Sequence, residues 1–178
     1  MRIFVKKMGF ILSMVVGFSA FVVVSGCSGK DDSKDGKNKP KGGEKMIVGD
    51  LSASVSGRWM GTGSISGGFG EADCGSAQVQ LMVSGNELTY SNWVYRCGDV
   101  TVTHGDTGVY DIDGSIIYTK GHQRVGQIVN NRIEVLMSSG GSTMAVKVSF
   151  YQDSSMEVDE RWDSKDGSFQ FNGLLYRQ

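Results

Sequence analysis

The chain has 178 residues, 18 Lys and Arg against 19 Asp and Glu, a formal net charge of −1, 26 glycines and one proline. So even a balance, with no basic stripe, argues against nucleic-acid binding, which works chiefly by neutralising phosphates. Three cysteines and two histidines also give no metal signal, because zinc needs three or four converging ligands.

In chain order, the first element is a positive start, Arg2, Lys6 and Lys7, followed by a mostly apolar run from Phe10 to Val24. The run is short of the roughly twenty residues that cross a bilayer core, and it suits the apolar region of an export signal, predicted here as a signal helix. It ends Val24-Ser25-Gly26-Cys27. Small residues ahead of a cysteine at this place resemble the lipobox of bacterial lipoproteins. The resemblance covers residues 1–28 and implies removal of residues 1–26, a diacylglyceryl thioether on Cys27 and a further acyl chain on the freed amine. Two or more chains anchor stably where one does not, each buried methylene contributing about 0.8 kcal/mol. Ser28, not an acidic residue, follows the cysteine. In two-membrane bacteria the family then implies the outer membrane, facing the periplasm or the cell surface.

Residues 27–45 form the lipidated cysteine and a linker. Ser28 to Lys45 reads SGKDDSKDGKNKPKGGEK, with no large apolar residue. Such a segment cannot bury enough surface to offset its ordering entropy, and it is predicted to be a flexible tether. From residue 46 to residue 178 the composition changes to that of one globular domain with one core. That part holds nine Lys and Arg against fifteen Asp and Glu, a balance of −6. With Cys27 acylated, Cys74 and Cys97 remain, and in an oxidising compartment they can pair. The alternative is two free or metal-binding thiols, although neither sits in a CxxC and no histidine stands at ligand spacing.

The domain alternates apolar and polar residues: Val79, Leu81 and Val83; Ile133, Val135 and Met137; Met144, Val146, Val148 and Phe150; Phe169 and Phe171. Period two with β-branched and aromatic residues marks strands. Short turn signals punctuate them: Gly85-Asn86, Asp113-Gly114, Lys120-Gly121, Asn130-Asn131, Gly140-Gly141, Asp153-Ser154 and Asp166-Gly167. Two-residue links join only antiparallel neighbours. The fold class predicted is therefore all-β: an up-and-down antiparallel meander of eight to ten strands. Closure into a barrel removes its edges, and a β-sandwich is the competing arrangement. Gly61, Gly63, Gly67, Gly68 and Gly70 crowd the first strand and the loop after it, either to permit sharp coiling or to loosen a gate near Phe69.

Gly57-Arg58-Trp59 opens the first strand and is similar to the Gly-x-Trp that begins lipocalins and related calycins. The resemblance implies that Trp59 plugs the closed end of a calycin-like barrel under a basic side chain from the last strand. Arg177 is the candidate for that partner and Arg161 the second. The later lipocalin motifs and the biotin-pocket pattern of avidins are not recognisable.

No catalytic constellation emerges. His104, near Asp106, and His122, after a Lys-Gly turn, read as loop residues, and no serine stands in a Gly-x-Ser-x-Gly elbow. Asp111-Ile112-Asp113-Gly114 lacks the further ligands of a calcium loop and reads as an Asp-Gly hairpin. Glu157, Asp159 and Glu160 read as solvated acids on an outer face. The expectation is a non-catalytic envelope lipoprotein with no cofactor and no metal, attached to the membrane by acyl chains on Cys27. Its barrel either holds a small apolar ligand, lined by Tyr90, Trp93, Tyr95 and Tyr118, or is filled and binds or inhibits an envelope protein. An open apolar interior of about 300–1,000 Å³ favours the carrier; a filled interior with an exposed aromatic patch favours the interaction module.

Overall fold

A computed structural model describes residues 3–7, 10–14, 54–105 and 107–178. The segment Val24 to Cys27, the tether Ser28–Lys45 and Asp106 lie outside the described residues. Ser54 and Val55 are helical, and the other described residues of the domain are strand and tight turn. The strands are β1 (Ile3–Lys7), β2 (Phe10–Met14), β3 (Gly57–Gly67), β4 (Gly70–Ser84), β5 (Glu87–Cys97), β6 (Val100–His104), β7 (Thr107–Asp113), β8 (Ile116–Thr119), β9 (Arg124–Val129), β10 (Arg132–Ser139), β11 (Ser142–Phe150), β12 (Ser155–Ser164) and β13 (Gly167–Arg177).

Pairings between the described strands are antiparallel, and β13 closes on β3, from Phe169↔Gly67 to Arg177↔Trp59. The predicted turn sites deliver the reversals. Gly85 (φ 56°) and Asn130 (φ 56°) occupy the left-handed region that a two-residue hairpin needs and that glycine and asparagine tolerate. The result is a closed antiparallel barrel rather than a sandwich. Among the described residues its core runs from Val55 to Leu175, and the strands that close the ring, β3 to β13, lie within residues 54–178.

One junction departs from a plain meander. β5 shares a single edge between two strands: Val94–Cys97 pair with β6, and Glu87–Ser91 pair with β7. β6 and β7 are thus two halves of one stave, interrupted around Gly105 (φ 46°), and β5 turns at Asn92 (φ 51°) opposite the break. Counting them as one gives ten staves. A bulge here bends the wall and strengthens its twist, as a closed barrel requires.

Most of the predicted signal helix, residues 15–24, lies outside the described residues; Ile3–Lys7 and Phe10–Met14 are extended. β1 and β2 pair with each other, and β1 adds to the outer edge of β6. An unsatisfied sheet edge offers a row of hydrogen-bonding groups that an apolar segment of the same chain can use.

Candidate functional site

Alternation decides what enters the barrel. On β12, Met156, Val158, Glu160 and Trp162 are buried while Glu157, Asp159 and Arg161 are exposed. Glu160 therefore does not join its acidic neighbours on the outer face as predicted: it points inward with 0% of its surface accessible. His104 is likewise not a loop residue. It is the inward-facing last residue of β6, 1% accessible.

The two meet inside. His104 Nε2 stands 3.1 Å from Glu160 Oε2, at ion-pair distance, although His104 Nε2 makes no aligned hydrogen bond and Glu160 Oε1 has no partner among the described residues. Tyr95 Oη donates to Glu160 Oε2 at 2.6 Å and accepts from Trp93 Nε1. Burial, reinforced by the Glu160 charge, holds the Tyr95 phenol well above its ordinary pKa. The His104 ring also packs against Trp93 and Tyr95, at centroid distances of 5.1 and 5.6 Å.

A stack of aromatic rings fills the space beside this cluster. Tyr95 and Phe171 lie face to face with centroids 3.6 Å apart and planes 8° from parallel. Phe171 has room because its wall neighbours are glycine. A Cβ on Gly173 would come within 2.5 Å of Phe171 Cζ, and one on Gly63, the register partner of Gly173, within 2.8 Å. The same glycines bring β3 and β13 together: a Cβ on Gly61 would sit 2.1 Å from the Leu174 carbonyl oxygen. These positions serve coiling and close backbone approach. Phe69, in the turn between β3 and β4, is partly buried against the core.

Among the described residues the interior holds a cavity of about 40 Å³, lined by Leu81, Leu88, Tyr90, Trp93, Tyr110 and Met144 among others. Tyr90 and Trp93 line it. Tyr95 is interior but is engaged by Glu160 and Phe171. Tyr118 does not line it: β8 buries Ile117, which turns the next side chain to the other face. Gly108 sits opposite Tyr90, and its missing side chain makes room for that ring, since a Cβ would fall 2.1 Å from Tyr90 Cε1. Burial, then the neighbouring Tyr110, raises the Tyr90 phenol, and burial raises that of Tyr110.

At the start of β3, Trp59 is 1% accessible and donates to the Val55 carbonyl at 2.9 Å. Its ring meets Phe150 edge-on at 5.6 Å. Arg177 Cζ lies 6.0 Å from the Trp59 centroid, and the guanidinium also donates to the Ser56 carbonyl. Gly57 leaves the arginine its path, because a Cβ there would meet Arg177 Nε at 2.8 Å. Arg161 is exposed and pairs with Asp163 at 2.7 Å. Cys74 and Cys97 form a disulfide that ties β4 to β5.

Outside, the wall carries an open groove of about 680 Å³ across β11, β12, β13 and β3, lined by Thr62, Ser64, Lys147, Ser149, Glu157, Asp159, Asn172 and Leu174 among others. Leu174 and Tyr176 are 40% and 49% accessible on this strand face. His122 is exposed in its turn, and Asp111 is held by Lys120 at 2.6 Å. Among the described residues no group of three or more His, Cys, Asp or Glu is placed to hold a metal ion.

No family model matches the chain, and no curated protein matches it.

The acid–imidazole–phenol cluster is the feature that sequence reasoning missed. The signal was present in the stripe Met156, Val158, Trp162, whose period places residue 160 on the same buried face.

Proposed function

We propose that the chain is a non-catalytic envelope lipoprotein, cut before Cys27, acylated there, and carrying a filled barrel that presents its outer wall to a protein partner. The observation that carries the second half is the interior itself. A cavity of about 40 Å³ is far below the roughly 300–1,000 Å³ of ordinary ligand sites. The Tyr95–Phe171 stack occupies the space a carried ligand would need. The outer groove, by contrast, is open, mixed in polarity and flanked by exposed Leu174 and Tyr176, a pattern in keeping with interaction surfaces. Exposed Glu157 and Asp159 and the −6 balance of residues 46–178 suit a partner with a basic face.

Support for anchoring comes from residues 1–28: a basic start, a run too short to span a bilayer, and Cys27 behind small residues. Ser28 points to the outer membrane where the cell has two. The packing of Arg177 over Trp59 beside Gly57 is in keeping with a calycin-like barrel end. The reading without catalysis is supported by the enclosure of Glu160 and His104, neither of which lines the interior cavity.

Two measurements test the proposal. Intact mass and palmitate labelling of the chain from bacterial membranes are expected to show a start at acylated Cys27, and Cys27→Ala is expected to abolish both. Native mass spectrometry of the mature chain captured from its envelope is expected to show a protein partner that is lost in Ser64→Arg/Asn172→Arg, which blocks the groove at two exposed positions. A stoichiometric apolar small molecule in place of that partner would restore the carrier reading.

A further inference from the structure

β6 differs from the other staves in what covers it. β5 bonds one of its edges. On the other side the next stave is β8, which has four residues and pairs only with Tyr110–Asp113 of β7. Among the described residues, Val100–His104 thus have no neighbour from the barrel strands on that side. In the full chain the place is taken by β1, antiparallel and in unbroken register from Ile3↔His104 to Lys7↔Val100. An edge that accepts five consecutive residues has its outward N–H and C=O groups accessible and is flat enough to pair. The sequence Val100-Thr101-Val102-Thr103-His104 contains no lysine, proline or acidic residue, and its register with β5 is unbroken from Val94↔Thr103 to Cys97↔Val100. Lysine, proline, acidic side chains and bulges are devices that normally protect exposed edges, and β6 carries none of them.

β1 lies inside residues 1–26, the segment removed in the lipoprotein reading, and the inference rests on that reading. We infer that loss of residues 1–26 uncovers β6, which then pairs antiparallel with β6 of a second copy of this chain to form an isologous dimer. A second copy fits because the edge is self-complementary. A two-fold axis at Val102 sets the partner's Val102 where Val5 stands opposite it in the full chain, and sets Thr101 opposite the partner's Thr103. Thr–Thr pairs are favourable across antiparallel strands, and a two-fold axis requires this self-matching. No like-charged pair arises within the ladder. Anchors in one membrane surface would also raise the effective concentration of one copy for another.

The test uses residues 27–178 with Cys27→Ser, which keep the whole barrel. Sedimentation from about 1 to about 500 µM is expected to show a monomer–dimer equilibrium in the range of modest affinities. In Thr101→Lys/Thr103→Lys the two-fold axis sets lysine against lysine twice, and dimerisation is expected to weaken about tenfold or more. Mixing that variant with Thr101→Glu/Thr103→Glu is expected to restore a heterodimer, which a merely misfolded variant would not form. A peptide of residues 2–8 is expected to compete with the dimer without any substitution. A monomer throughout the range overturns the inference, even if it binds the peptide, since the edge would then be open to a strand other than its own. A dimer indifferent to the lysine pair overturns it too. None of these outcomes depends on processing in the cell, which the mass at Cys27 reads separately.

Discussion

Replacing Glu160 by leucine isolates the energetics of the buried cluster. The side chain is fully enclosed, accepts from Tyr95 Oη at 2.6 Å and faces His104 Nε2 at 3.1 Å. Leucine fills a similar space but leaves a buried phenol proton without an acceptor and an imidazole without its carboxylate. Removing one member of a buried pair costs about 3–5 kcal/mol, of which the Tyr95 phenol left without its acceptor accounts for about 1–3 kcal/mol. With an m-value near 2 kcal/mol/M, a loss of about 4 kcal/mol lowers the urea midpoint by about 2 M. Trp93, in contact with His104, reports the transition by fluorescence. Two further variants separate polar from packing effects. Glu160→Gln keeps an oxygen for Tyr95 and is expected to lose less. Glu160→Leu/Tyr95→Phe/His104→Leu removes the network and is expected to recover stability until only Trp93 Nε1 is orphaned, about 1–3 kcal/mol below the parent. A single Glu160→Leu within about 1 kcal/mol of the parent would refute the reasoning, as would a triple variant no more stable than the single.

Removing the Cys74–Cys97 bridge, 23 residues apart in sequence, is expected to lower stability by about 3.5 kcal/mol on the chain-entropy account; unfolding midpoints of Cys74→Ala/Cys97→Ala against the parent measure this. Tyr90, Tyr95 and Tyr110 have raised phenol pKa values in the folded state, so the native protein holds these protons more tightly than the unfolded chain. Their contribution is intact below the ordinary tyrosine value of 10.0 and declines above it, by about 1.4 kcal/mol per pH unit for each tyrosine. Urea midpoints at about pH 9 and about pH 11 are expected to diverge accordingly, and a flat profile would contradict the burial of these rings. Arg177→Ala is expected to cost about 1–3 kcal/mol through the lost indole contact and the bond to Ser56. Arg161→Ala, at an exposed pair, is expected to stay within about 0.5 kcal/mol; equal thermal shifts would deny Arg177 its place over Trp59.

The all-β class, the antiparallel order and most reversals followed from local chemistry. Stripes such as Met144–Phe150 assign one face of a strand, and Gly85, Asn130 and Gly140 supply the left-handed backbone that tight hairpins use. Once Cys27 is set aside, two cysteines permit one bridge. Local chemistry did not reveal what faces what across the barrel. His104 and Glu160 are 56 positions apart, and each looked solvated beside its own neighbours; only closure of the wall brought them to 3.1 Å. Alternation could place Tyr95 and Phe171 inside, but it could not show that they stack, because the room for Phe171 comes from Gly63 and Gly173 on two different strands. Nor could it show that β6 and β7 are one interrupted stave whose β6 half pairs with β1 rather than with a barrel strand. A strand's inner face is written in its own residues, whereas the space inside a barrel and the edges left over depend on every stave at once. Tertiary structure therefore decided which rings stack inside the barrel, where Glu160 and His104 meet and which strand edge has no neighbour among the barrel strands.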